Sequence, residues 1–304
     1  MKAFFVFSGQ GAQTVGMGKD LAEAFPEAKA LFDEADAVLG YEQSSIIFNG
    51  PAEKLTESRY CQPAIYTMSC AALAAFKTRY PDVTPVGCAG LSLGEYGALY
   101  AGGAFTFAKG LRLLAQRAEL MDKACRATSG GMASVLGGDA EIIKEVCAAC
   151  EIDVANFNSP GQIVISGEKV KLAKAVEELK AHGMRKIIVL NVAGAFHSRL
   201  MKPAGEALEK VLEESPVAMP RIPVYHNFTA APAADVAQLR ANLAAQVAGS
   251  VRWEECVRNM VAAGGDTMIE FGPGNVLTGL LRRTLPEVRG LNVNSAETLR
   301  NIEL

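Results

Sequence analysis

Gly90-Leu91-Ser92-Leu93-Gly94 continues the short apolar run Val86-Gly87-Cys88-Ala89 and is followed by Glu95-Tyr96-Gly97-Ala98-Leu99. A serine with glycine two residues before and two after, between a strand-like run and a helix-like one, has the G-x-S-x-G form of a nucleophile elbow. A sharp strand-to-helix turn lifts the hydroxyl clear of the sheet, and the glycines let the two backbones cross without a Cβ clash. The helix that opens after the turn leaves unpaired N–H groups pointing out beside Ser92. Small residues also crowd into ordinary turns, so the pattern alone leaves a plain turn serine open.

Outward from the elbow, residues 2–7 read as a buried strand that runs into the glycine loop Ser8-Gly9-Gln10-Gly11. Helical sequence is expected over 20–38. Gln62-Pro63 is expected to start a long helix to about residue 77, with the proline in the first turn, where its missing N–H costs nothing. Phe107, Leu111, Leu114 and Met121 recur at helical spacing. Later, helices over 203–212, 236–246 and 253–262 alternate with short strands at 222–225, 267–271 and 291–293. Such alternation indicates an α/β fold, a mostly parallel sheet covered by helices on both faces. Ligands gather beyond the carboxyl ends of such strands, where the Ser8–Gly11 loop and Ser92 both fall.

The middle has its own rhythm: a strand at 132–136, a helix at 140–150, and strands at 153–157 and 162–166 joined by Asn158-Ser159-Pro160-Gly161. A helix over 169–181 and a strand over 186–190 complete β-α-β-β-α-β, the order of a ferredoxin-like unit. The expectation is a large α/β-hydrolase-like body formed by 1–128 and 192–304, with 129–191 inserted as a smaller subdomain.

Composition narrows the function. The 304 residues are 50% hydrophobic, carry a net charge of -3 and contain no long basic run, which argues against a nucleic-acid partner. No apolar run approaches the roughly 20 residues of a membrane span, and the start turns polar too soon for a signal peptide. Seven cysteines in a chain of this length point to reduced thiols. Cys147 and Cys150 form a C-x-x-C, but they share a helical stripe with Ile142, Ile143 and Val146 and lack a second pair to complete a zinc site, so core packing is expected. The expectation is a cytoplasmic protein.

A serine hydroxyl needs a base, and the chain has 3 histidines. His182 sits at a helix C-terminus, where a structural role suits it. His226 ends a strand and reads as either a ligand position or a surface turn. His197, in Ala195-Phe196-His197-Ser198 at the seam between the insertion and the body, is the best base. An acid to orient it is not evident: Asp266 and Glu270 are candidates, each better read as a surface charge or a strand-end carboxylate. Oxyanion donors would be the Leu93 N–H and one from the Gly9-Gln10-Gly11 loop, although a glycine loop could also cradle phosphate. Arg117 falls on or beside an apolar stripe, where a desolvated, unpaired guanidinium would cost on the order of 3–5 kcal/mol. A structural pair with Glu119 or another acid, and a clamp for a substrate carboxylate, are both open readings.

Together these residues resemble the malonyl-CoA:acyl carrier protein transacylase family along nearly the whole chain. The matching segments are Phe7-Ser8-Gly9-Gln10-Gly11-Ala12-Gln13, Gln62-Pro63-Ala64, Gly90-Leu91-Ser92-Leu93-Gly94-Glu95 and Gln116-Arg117-Ala118. Asn158 to Gly167, Gly194-Ala195-Phe196-His197-Ser198 and Glu270-Phe271-Gly272-Pro273-Gly274 also match, in the same order. The resemblance implies Ser92 as nucleophile, His197 as base, and the Gln10 and Leu93 N–H groups as oxyanion donors. It further implies Arg117 as the partner of the malonyl carboxylate, the main-chain carbonyl of Gln246 as the group that orients the histidine, and Phe196 as a malonyl-selecting side chain.

The implied reaction moves a malonyl group from coenzyme A, through a malonyl-serine ester, to the pantetheine thiol of acyl carrier protein. The carrier would be a transient partner, the enzyme a monomer, and no cofactor tightly bound. On the residues alone, the rivals are a serine esterase or thioesterase, with little need for a charged clamp, and a non-catalytic docking module. One departure stands out: Leu91 precedes the nucleophile where most members of the family carry histidine.

Overall fold

A computed structural model describes residues 1–304. Its nine strands are β1 (Ala3–Phe7), β2 (Gly87–Gly90), β3 (Gly130–Leu136), β4 (Asp153–Ser159), β5 (Gln162–Glu168), β6 (Lys186–Val189), β7 (Val224–Tyr225), β8 (Thr267–Phe271) and β9 (Arg289–Val293). The body sheet has the order β7-β2-β1-β8-β9, every pair parallel. β1 and β8 are buried at every position, as inner strands are when helices cover both faces; β1 is wholly apolar, whereas β8 also carries Thr267 and Glu270. Successive β1 side chains feed different cores. Phe5 and Phe7 join the larger one, with the helices Ser58–Arg79 and Phe107–Arg126, whereas Phe4 and Val6 pack with Trp253, Val257 and Leu277.

The second sheet is antiparallel with the order β4-β5-β3-β6. Helices Ala140–Ala149 and Lys169–Ala181 cover one face and share a core that includes Cys147 and Cys150. Met132, Ala155 and Val164 belong instead to the body's larger core. The seam is also hydrogen bonded: Val251 N–H donates to the Ala155 carbonyl at 2.8 Å, and Phe157 N–H to the Val251 carbonyl at 2.9 Å. These bonds tie β4 to the stretch that follows the helix Val236–Ala248.

Three local expectations change. The helix over 20–38 is two helices, Lys19–Ala24 and Pro26–Leu39, because Phe25 is extended ahead of a proline. The long helix begins at Ser58, one turn before Gln62, so Pro63 lies inside it. Buried Ser58 and Cys61 give that extra turn its packing, which outweighs the bond that the proline withholds. The 158–161 turn shrinks to Pro160-Gly161, since Ser159 pairs with Gln162. The short helices Gln43–Asn49, Ala52–Thr56 and Ala296–Asn301 carry too weak a pattern to be read from sequence. No helix is long and apolar enough to cross a membrane.

Candidate active site

The parallel pairing of Phe7 with Gly90 sends the loops after β1 and β2 out of the same end of the sheet. Ser92 sits at the tip of the second loop with φ 55°, in the left-handed region that a non-glycine residue adopts only under constraint. Both elbow glycines are obligatory. A Cβ on Gly90 would lie 2.0 Å from the Gly94 carbonyl, and one on Gly94 would lie 2.2 Å from the Phe7 carbonyl oxygen. The Ser92 N–H is held by Asn227 Oδ1 at 2.6 Å, and the helix Gly94–Gly102 starts two residues later.

The Ser8–Gly11 loop rests on the elbow. The Leu91 N–H donates to the Phe7 carbonyl at 3.1 Å, and the Cα of Gly9 lies against the Leu91 side chain so closely that a Cβ there would meet Leu91 Cδ2 at 2.6 Å. Neither the Gln10 nor the Leu93 N–H makes a backbone hydrogen bond. Both N–H groups thus stand at adjacent strand ends without a backbone acceptor.

His197 is 4% exposed, and its Nε2 lies 2.8 Å from Ser92 Oγ. Its Nδ1 lies 2.8 Å from the Gln246 carbonyl oxygen. A carbonyl only accepts, so Nδ1 carries the proton and Nε2 presents its lone pair to the serine hydroxyl. Burial, reinforced by the nearby Arg117 charge, pulls the imidazole down to about 4. The ring is therefore neutral near pH 7, the state that a proton acceptor needs.

Neither candidate acid touches His197. Glu270, read as a surface charge or strand-end carboxylate, is buried and accepts the Leu277 and Thr278 N–H groups at 3.0 and 2.8 Å, which caps a helix. Asp266 accepts the Lys2 N–H at 2.9 Å. His182 is exposed at the end of its helix. His226 is no surface turn: it is 0% exposed, and its Nδ1 lies 2.6 Å from Glu95 Oε1.

Arg117 is 1% exposed and pairs with no carboxylate; Glu119, one of the partners considered for it, points to solvent. Its Nη1 donates to Gln62 Oε1 at 2.6 Å, and its Nη2 to Gln246 Oε1 at 2.9 Å and to Ser92 Oγ at 3.0 Å. Its Nε has no partner. The guanidinium carbon lies 6.0 Å from the centroid of the Tyr96 ring, a weak cation–π contact. Burial lowers the guanidinium below its ordinary value, and Tyr96 and Glu95 offset part of that. Neutral amides and a hydroxyl satisfy its geometry, but none of them cancels its charge.

Ser92, His197, Arg117 and Gln246 thus meet in one hydrogen-bonded cluster, and Phe196 is 7% exposed in the larger core beside it. Sequence reasoning missed the side chains behind them. Gln62, for which the sequence suggests no role in the site, orients Arg117. Asn227 holds the elbow, and Glu95 accepts from both Asn227 and Gln246. A carboxylate in the first turn of an otherwise apolar helix was the available signal for Glu95. No group of His, Cys, Asp and Glu side chains is arranged to hold a metal ion.

Comparison with known proteins places the chain in a family. The family profile described as an acyl transferase domain matches residues 4–300. A malonyl CoA-acyl carrier protein transacylase of Bacillus subtilis is 42% identical over 303 residues, 98% of this chain and 95% of that relative. The crystal structure of an acyl carrier protein S-malonyltransferase from Vibrio cholerae superposes with a TM-score of 0.96 at 37% identity, covering 100% of both chains. A malonyl-transacylase solved in complex with its type II PKS acyl-carrier protein gives 0.95 at 36% identity, covering 99% of this chain and 98% of its own. The chain belongs to the acyl transferase family, and within it to the malonyl CoA-acyl carrier protein transacylases.

Proposed function

We propose that the chain moves a malonyl group from coenzyme A to the pantetheine thiol of acyl carrier protein in two half-reactions. In the first, His197 Nε2 takes the Ser92 proton as Oγ attacks the thioester carbonyl. The oxyanion is held by the Gln10 and Leu93 N–H groups. Its collapse breaks the C–S bond, and the coenzyme A sulfur leaves with the proton from His197. In the second, the pantetheine thiol gives its proton to His197 and attacks the malonyl-serine ester, and Ser92 departs with that proton. Arg117 binds the malonyl carboxylate throughout, the Gln246 carbonyl fixes the imidazole tautomer, and Phe196 closes the pocket against a methyl branch, a discrimination worth about 1–3 kcal/mol.

The observation that carries this reading is a buried guanidinium that touches no carboxylate, 3.0 Å from the nucleophile. A dicarboxylic acyl group supplies the missing anion; a neutral ester does not. The same proposal includes a cytoplasmic monomer that meets its carrier transiently and needs no tightly bound cofactor. It also divides the chain into a body of 1–128 and 192–304 and an inserted unit of 129–191, supported by the separate core beneath the antiparallel sheet.

Rapid mixing with malonyl-CoA should release one equivalent of coenzyme A per enzyme and then nearly stop until carrier protein is added. Intact mass should show a malonyl adduct that Ser92→Ala abolishes. Arg117→Ala should slow malonyl transfer by about 100-fold or more while retaining acetyl transfer. Continuous release without acceptor would identify a hydrolase, no adduct would identify a docking module, and equal losses for both acyl groups would remove the clamp.

A further inference from the structure

Glu95, in the first turn of the helix Gly94–Gly102, is 0% exposed and is assigned no chemical step above. Its Oε2 accepts the Asn227 N–H at 2.8 Å and the Gln246 side-chain amide at 2.7 Å, and its Oε1 lies 2.6 Å from His226 Nδ1. Two of these partners, Asn227 and Gln246, lead into the site. Asn227 turns its Oδ1 to the Ser92 N–H at 2.6 Å and its Nδ2 to the Gly90 carbonyl at 2.8 Å. Gln246 turns its Oε1 to Arg117 Nη2 at 2.9 Å and its Nε2 also to the Ser92 carbonyl at 3.0 Å, while its main-chain carbonyl accepts from His197. Nucleophile, base and guanidinium are thus each one hydrogen-bonded residue away from a single carboxylate.

The charge matters as well as the position. An ionised carboxylate only accepts, so Gln246 must present its NH₂ to Glu95 and its oxygen to Arg117. A neutral amide at position 95 could accept or donate. It would let the Gln246 side chain turn over, with its NH₂ set against the guanidinium. The negative charge also favours the cationic form of the buried arginine.

Resting on the malonyl-transfer reading, we propose that Glu95 is a positioning residue of this reaction. Its carboxylate orients the Gln246 and Asn227 amides and through them holds Arg117, His197 and Ser92 in working geometry.

The test is single-turnover formation of the malonyl-Ser92 adduct in the full chain, followed by quenched flow and intact mass, for wild type and Glu95→Gln. The expected result is a rate constant lower by about 10–100-fold and a raised half-saturation by malonyl-CoA, since Arg117 shifts together with the base, with one malonyl group per chain still reached. A wild-type rate constant overturns the proposal. So does a fall in final stoichiometry at an unchanged rate constant, because that reports lost folded protein rather than misplaced groups. Should Glu95→Gln not be recovered folded, Glu95→Asp is judged by the same criteria, since it keeps the charge but withdraws it from both amides. A wild-type chain that forms no adduct overturns the transfer reading itself, whereas normal wild-type acylation with unaffected variants overturns only the role of Glu95.

Discussion

Arg117 and His197 face the same hydroxyl and act on it in opposite senses. The arginine donates to Ser92 Oγ, and the histidine offers that oxygen's proton a lone pair. The cation also disfavours a second positive charge on the imidazole, so the base stays free at a pH where an exposed histidine would be protonated. This gives a signed prediction. In wild type, the acid limb of kcat/KM for coenzyme A release from acetyl-CoA should fall near pH 4, well below the ordinary histidine value of 6.5. In Arg117→Ala the limb should move up, because a repulsive charge is gone, yet remain below 6.5 because the burial persists. A limb that stays in place or moves down would show that the arginine does not act on the base. The pairing of Ser92 with His197 could be anticipated from chemical types, since a serine in an elbow requires a base and few histidines were available. The lack of a carboxylate in contact with the arginine could not, because it depends on which side chains fold against it.

At the level of elements, the turn between β2 and the helix Gly94–Gly102 shows steric need overriding intrinsic preference. Helix propensity alone would favour alanine over glycine at position 94 by about 1 kcal/mol. The Phe7 carbonyl oxygen, 2.2 Å from where the Cβ would stand, belongs to the central strand and cannot move cheaply. Overpacking of this kind costs about 1–3 kcal/mol, so Gly94→Ala should destabilise the protein despite its better propensity. Urea unfolding should show a lower midpoint, and adduct formation at Ser92 should slow as the elbow shifts. A midpoint at or above wild type would mean that the turn relaxes. The elbow was legible because its requirements lie within a few residues of one another. The helix ends near Phe25 and Ser58 were less so: the first turned on the residue before a proline, and the second on buried contacts that carry the long helix past its expected start.

For the whole molecule, the site couples function to stability through His197. Its folded value of about 4 lies below the 6.5 of an exposed histidine, so between those limits the unfolded chain binds more protons. Stability contributed by this group is therefore present above pH 6.5 and falls as the pH is lowered toward 4, by about 2–3 kcal/mol over that window. Urea titrations at pH 7 and near pH 4.5 should show wild type losing more stability than His197→Gln by roughly that amount. Parallel losses would mean that the imidazole titrates normally.

The sequence by itself determined the alternation of strands and helices, the elbow, the two sheet types and the chemical types needed for acyl transfer. All of these follow from periodicity, turn stereochemistry and side-chain reactivity over short spans. Only the tertiary structure decided which side chains touch Arg117, and that Glu95, Asn227 and Gln246 lock the cluster together. The Glu95 bonds to Asn227 and Gln246 span 132 and 151 residues of chain. At that distance local pattern says nothing about approach; the parallel order of the strands and the packing of the helix Val236–Ala248 against the elbow bring these groups together.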